Sequence, residues 1–200
     1  MIIDMDSHLR EGYFLDEVYK LGGPLAKFTP QKAGDGRSHA TRFVHSLEPG
    51  DTQALLAFKH PYIYDPKNNP ELAERQKGGY DMKRRLADAR KEGIDRQIIF
   101  PTGIDIATKN VGELGAALAS AYNNWVGNLV KGHEDVFYPC AAAPAGCPER
   151  MAAELRRCVK GKGFKAGHLV CYCGPRNLDH PSFYDYYAAA QELDVPLLCH

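Results

Sequence analysis

Neither sign of charge dominates this sequence: its 200 residues hold 25 Lys+Arg and 25 Asp+Glu, for a formal net charge of zero. No broad basic face is available to grip a phosphate backbone, which argues against nucleic acid as a partner. No apolar run approaches the ~20 residues that a membrane-spanning helix needs. Asp4 and Asp6 stand where a secretory leader carries basic residues and then an apolar stretch, so the expected location is the cytoplasm, away from membranes. Neither G-x-G-x-x-G nor G-x-x-x-x-G-K-S/T follows the first apolar segment, which removes the main support for a nucleotide-binding doubly wound sheet. The dense cysteine spacing of a small stapled domain is missing too. Cys140, Cys147, Cys158, Cys171, Cys173 and Cys199 are spread along the chain and read as reduced thiols, mostly small core residues. In "HLVCYC" strand alternation sends Cys171 and Cys173 to one face and His168 to the other, which argues against a zinc site there.

What is present is ordinary for a globular chain: 44% hydrophobic and 25% charged residues, enough for one domain, 1–200, with a substantial core. After residue 80 helical periods alternate with short β-rich runs. "YDMKRRLADARKEG" offers Asp81 as N-cap, an apolar stripe at Met82, Leu86 and Ala89, and Gly93 as terminator. "NVGELGAALASAYNNWVGNLVKG" carries Leu114, Leu118, Ala121 and Trp125 at helical spacing, with Asn110 and Glu113 resembling a capping box. "CPERMAAELRRCVKGKG" starts with Pro148 in its first turn, and "HPSFYDYYAAAQELD" puts Phe183, Tyr187 and Ala190 on one stripe. Strands are expected near 2–8, 94–101, 136–143, 164–172 and 195–199. Such alternation implies parallel pairing through right-handed crossovers, with helices on the outer face.

The fold class expected is α/β, a (β/α)8 TIM barrel with about its first five strands in this chain. A barrel of this type typically takes about 250 residues, so the sequence reads as the N-terminal part of a longer domain. Taken alone it is expected to be inactive and to associate through unpaired strand edges. Residues 12–79 differ, being rich in Gly, Pro and charge, as in "KAGDGRSH" and "YDPKNNPE". They form a long insertion in the first βα connection and are expected to cover the active site.

Chemistry concentrates at the two ends of the chain. In "IIDMDSHLRE" Asp6 and His8 are two apart, so on a strand they share a face, with Asp4 deeper on the same face. The spacing reads as half of a divalent-metal site, as a buried Asp–His hydrogen-bonded pair, or as a solvated strand end. His200 follows the apolar run 195–198 at the end of the fifth strand, which brings a third potential ligand to the same barrel mouth. A carboxylate with imidazoles suits a borderline divalent ion, Zn or Mn. His39, His45 and His60 fall in the long insertion, as candidates to approach substrate or as exposed loop histidines. Asn124 and Trp125 belong to the "YNNW" helix, where Trp125 continues the apolar stripe.

The stretches "IIDMDSHLRE", "GGYDMKRRLADARKEGIDRQIIFPT", "AYNNWVGNLV", "AAAPAGCPERMAAELRRCVKGKGFKAGHL" and "LDHPSFYDYYAAAQELDVPLLCH" together resemble the amidohydrolase superfamily. The similarity is to the amidohydrolase-related branch that includes aminocarboxymuconate-semialdehyde decarboxylase and the γ-resorcylate decarboxylases. The resemblance implies a metal held by Asp6 and His8 from the first strand and His200 from the fifth. It places Glu11 where many members with a D-S-H start also carry a Glu, a candidate substrate contact without an assigned role. The acid/base His and last metal-binding Asp that it implies are expected beyond residue 200. The implied activity is non-oxidative decarboxylation of a small aromatic or unsaturated carboxylic acid, by an enzyme that is a homo-oligomer when full length. The runner-up is hydrolysis of a lactone, ester or amide by the same site. A third reading is a catalytically incomplete fragment that binds metal or partner chains.

Overall fold

Five short segments pair side by side, all in one direction, in the order in which the chain makes them. The computed structural model describes residues 1–9, 41–45, 54–58, 70–75, 77–101, 113–171 and 176–200. In chain order the elements are β1 (Ile3–His8), β2 (Thr41–His45), β3 (Ala54–Phe58), α1 (Pro70–Arg75), α2 (Met82–Lys91), β4 (Arg96–Phe100) and α3 (Glu113–Leu129). They continue as β5 (Phe137–Ala141), α4 (Pro148–Lys162), β6 (Ala166–Leu169), α5 (Tyr184–Leu193) and β7 (Leu197–Cys199). The main sheet runs β1-β4-β5-β6-β7, every neighbouring pair parallel. The expected strand sequence and order are therefore present, each strand shorter than its apolar run. Within the insertion 12–79, β2 and β3 form a separate antiparallel pair. Whether the insertion covers the site falls on residues outside those described, as do Glu11, His39 and His60.

The helices begin and end where local chemistry dictates. The Asp81 carboxylate accepts the Arg84 amide at 3.1 Å at the start of α2, and Gly93 takes a positive φ of 73° just beyond its end. Pro148 opens α4. Asp194 ends α5 in the left-handed region at φ 52°.

Helices α2 to α5 lie on one face of the sheet. Ile99 and Phe137 are buried there with Leu118, Tyr122, Met151 and Leu155. The opposite face buries a smaller cluster made of strand residues alone: Phe100, Cys140 and Ala166, with Ile98 and Leu198 against them. Burial pushes the Cys140 thiol up to about 12, so it behaves as a small apolar core group, as the sequence suggested for most cysteines. The stripe on α5 is shifted from that expected: Tyr186 is buried while Tyr187 is only partly so. The Tyr186 hydroxyl donates to the His168 carbonyl at 2.9 Å. Helix and strand come close here; a Cβ on Gly167 would lie 2.5 Å from that hydroxyl and 2.7 Å from Leu197.

Asn123 joins a helix to a strand end. Its Nδ2 donates to the Ala142 carbonyl at 3.0 Å, and its Oδ1 accepts the Ala142 amide at 2.8 Å. Both groups are buried just past β5, where no strand ladder satisfies them. Neighbouring Asn124 accepts from Arg157, and Trp125 packs partly buried against the core.

Two outcomes are expected. Asn123→Ala leaves a buried N–H and C=O unpaired and should cost about 2–4 kcal/mol, read as a lower urea midpoint. The 200-residue chain on its own presents β1 and β7 as sheet edges, with Ile2, Ile3 and Met5 exposed on or beside β1. Size-exclusion chromatography with light scattering should show self-association; a stable monomer would contradict this.

Candidate metal centre

In a flat sheet the first and fifth strands would lie about 19 Å apart, four spacings of about 4.8 Å. Here the Asp6 carboxylate on β1 lies 3.2 Å from Nε2 of His200, the residue after β7. The sheet is therefore curled strongly enough to bring its edge strands together at one end. That end is the C-terminal one for every strand, the face where barrels of this kind carry their sites. The same Asp6 oxygen lies 3.0 Å from Nε2 of His8, and the two imidazoles meet edge to face with ring centroids 5.1 Å apart. One ligand atom from each of Asp6, His8 and His200 lies within 4.8 Å of the others, the one such cluster of three among the described residues. The three residues singled out at the chain ends are thus brought together.

Exposure separates this cluster from a buried Asp–His pair, and the convergence of a third donor, His200, on the Asp6 oxygen that His8 also approaches sets it apart from a merely solvated strand end. Asp6 is 65% exposed at its side chain while His8 and His200 are 33% and 38% exposed. Three donors open to solvent on one side form a cup, not a sequestered hydrogen bond. Its floor is aromatic: the Phe100 ring lies 4.9 Å from that of His200 and 6.3 Å from that of His8. Below Phe100 sits fully buried His168, at 6.0 Å. His168 thus faces the interior of the curl. Cys171 lies elsewhere, its sulfur 3.1 Å from that of Cys199. Partial burial and the bond to Cys171 push Cys199 up to about 11. Cys173 lies outside the described residues.

Asp4 corrects the reading of the first strand. Between Asp4 and Ser7 the register against β4 slips, three residues of β1 spanning two of β4. Beyond the bulge Ser7 pairs with Ile99, and before it Asp4 pairs with Gln97, so Asp4 and Ser7 both turn to the helix-covered face. There Asp4 accepts from Gln97 at 2.9 Å. It does not lie under Asp6 and His8.

The residues missed by the sequence reading are those behind β1. Arg85 is buried at 9% exposure, where desolvation pulls its pKa below the usual guanidinium range and the charge of Asp4 opposes this. Its position three residues from Met82 and four from Ala89 puts a charge inside the apolar stripe of α2, which was the available signal.

Parallel strands in sequential order, helices on one side and a polar cluster at the C-terminal rim define the enzyme-bearing (β/α)8-barrel class, of which the described residues supply five strands of the parallel sheet. Residues 3–200 match the family model described as amidohydrolase, and the chain belongs to that family. It is similar to the γ-resorcylate decarboxylase of Polaromonas sp. strain JS666, 27% identical over 155 residues, covering 74% of this chain and 47% of that protein. The chain thus spans about half the length of this curated relative. An amidohydrolase from Mycobacterium avium subsp. paratuberculosis K-10 shares the fold with a TM-score of 0.71 at 18% identity, over 100% of this chain and 57% of that one. A dihydroxybenzoic acid decarboxylase from Polaromonas sp. JS666, with bound manganese and the inhibitor 2-nitroresorcinol, superposes with a TM-score of 0.60 at 20% identity, over 100% of this chain and 48% of its own.

Proposed function

We propose that this chain is the metal-binding part of a divalent-metal-dependent, non-oxidative decarboxylase acting on a small aromatic or unsaturated carboxylic acid. The observation that carries the reading is the convergence of Asp6, His8 and His200 at the strand ends in a chain of the amidohydrolase family. Its similarity to a γ-resorcylate decarboxylase favours decarboxylation over hydrolysis. One carboxylate and two imidazole nitrogens form a mixed oxygen and nitrogen set suited to Zn²⁺ or Mn²⁺ rather than to the all-oxygen shells of Ca²⁺ and Mg²⁺.

Within this reading each residue has a physical task. Asp6 supplies the negative charge that offsets a dication, and its exposure leaves one side of the cup open to a ligand. His8 and His200 supply neutral nitrogen donors from two different strands, so the curl of the sheet sets their separation. Phe100 closes the floor behind both rings and presents an apolar surface that keeps water from that side. A bound divalent ion supplies Lewis acidity toward a carboxylate and a neighbouring oxygen of the substrate. Glu11 is retained as a candidate substrate contact, the insertion 12–79 as a cover for the site, and the cytoplasm as the location. The full-length protein is proposed to assemble with copies of itself.

The test uses the full-length protein. Loaded with Mn²⁺ or Zn²⁺, it should release CO₂ from 2,6-dihydroxybenzoate or a related hydroxybenzoate. Hydrolysis of a lactone, ester or amide without CO₂ release would move the assignment to the hydrolases. His8→Ala should abolish metal loading, with less than a tenth of an equivalent retained by elemental analysis. Stoichiometric metal in that variant would remove His8 from the ligand set.

A further inference from the structure

Behind the ligand strand a single guanidinium holds both sides of the β1 bulge. From α2, Arg85 Nη1 donates to the carbonyl of His8 at 3.1 Å and to that of Gly78 at 3.0 Å. Its Nη2 donates to the Ser7 hydroxyl, and its Nε donates to Gln97 Oε1 at 2.8 Å. Gln97 in turn donates to the Asp4 carboxylate at 2.9 Å. The network therefore grips Asp4 before the register slip and Ser7 and His8 after it.

That placement has a consequence for the cup. Side chains on a strand alternate, so losing the bulge, which slips the register of β1 against β4 by one residue from there on, turns Asp6 and His8 away from the interior and onto the helix side. The ladder does not by itself fix a bulge, because the extra residue is unpaired. A planar fork with donors in fixed directions does fix it: the His8 carbonyl and the Ser7 hydroxyl must lie where the guanidinium points. A lysine ammonium has charge but no such fork.

We infer that Arg85 is a positioning residue for the proposed metal centre, acting through the backbone of His8 and the side chains of Ser7 and Gln97 to hold Asp6 and His8 toward His200. This rests on the metal-binding reading of those three residues. Arg85 touches none of their ligand atoms, so its effect appears as metal affinity rather than as loss of a ligand.

The experiment titrates Mn²⁺ alone into the full-length protein by isothermal calorimetry and follows the bound ion by electron paramagnetic resonance. Four proteins are compared: wild type, Arg85→Lys, Ser7→Ala, and Met151→Ala, a buried change on α4 that destabilises the fold remote from β1. Arg85→Lys should weaken Mn²⁺ binding about 10- to 100-fold, the range seen when groups supporting a ligand are lost, and should alter the spectrum of the bound ion. Ser7→Ala removes one acceptor without disturbing the charge and should weaken binding less, in the same direction; it keeps the test decisive should Arg85→Lys fail to fold. Met151→Ala should keep wild-type affinity despite a lower unfolding temperature. Wild-type affinity and spectrum in the folded Arg85 or Ser7 variant would reduce the network to a structural role and overturn the inference. No Mn²⁺ binding by the wild type would instead overturn the metal reading itself, and this inference with it.

Discussion

A parallel sheet that carries its helices on one face must bury its other face against itself, and every feature of this molecule depends on that closure. The inner cluster of Phe100, Cys140 and Ala166 comes from three neighbouring strands and contains no helix residue. Side chains on one face of adjacent strands touch in any sheet; curling is what closes that face over them and hides them from water without a helix. The same curl carries the ends of β1 and β7 to within hydrogen-bonding distance, Asp6 to His200 at 3.2 Å. Core formation and assembly of the polar cup are thus one geometric event, with Phe100 belonging to both.

Two acids two residues apart in β1 have opposite fates. Asp6 opens to solvent beside two imidazoles, whereas Asp4 turns under the helices and receives a hydrogen bond from Gln97. Ionised groups on the covered face need partners, and the Asp4–Gln97–Arg85 chain supplies them without a direct ion pair. The bulge between the two acids separates a structural carboxylate from a candidate ligand.

The cup by itself defines a binding capability, not a reaction. An ion held by Asp6, His8 and His200 can polarise a carboxylate for loss of CO₂ or activate a water for hydrolysis. What separates the two is the group that handles the proton and the shape of the substrate pocket. Membership of the amidohydrolase family fits either chemistry; the proposal of decarboxylation rests on the similarity to a γ-resorcylate decarboxylase, which this chain covers over 47% of its length.

Local signals in the sequence were sufficient for the alternation of strands and helices, their sequential parallel order, and the ends of α2, because periodicity, N-caps and glycine terminators act over a few residues. Asp6, His8 and His200 were recognisable as candidates because an i, i+2 pair and a strand-end histidine follow from backbone geometry alone. The bulge, the rotation of Asp4 to the helix side, the shift from Tyr187 to Tyr186 and the burial of Arg85 were decided by packing. Each depends on groups distant in sequence, Arg85 lying 77 residues from His8 and Gln97 lying 93 from Asp4. A one-residue slip in register costs little locally and reverses every side chain, so the choice belongs to the buried hydrogen bonds that only the folded chain brings together.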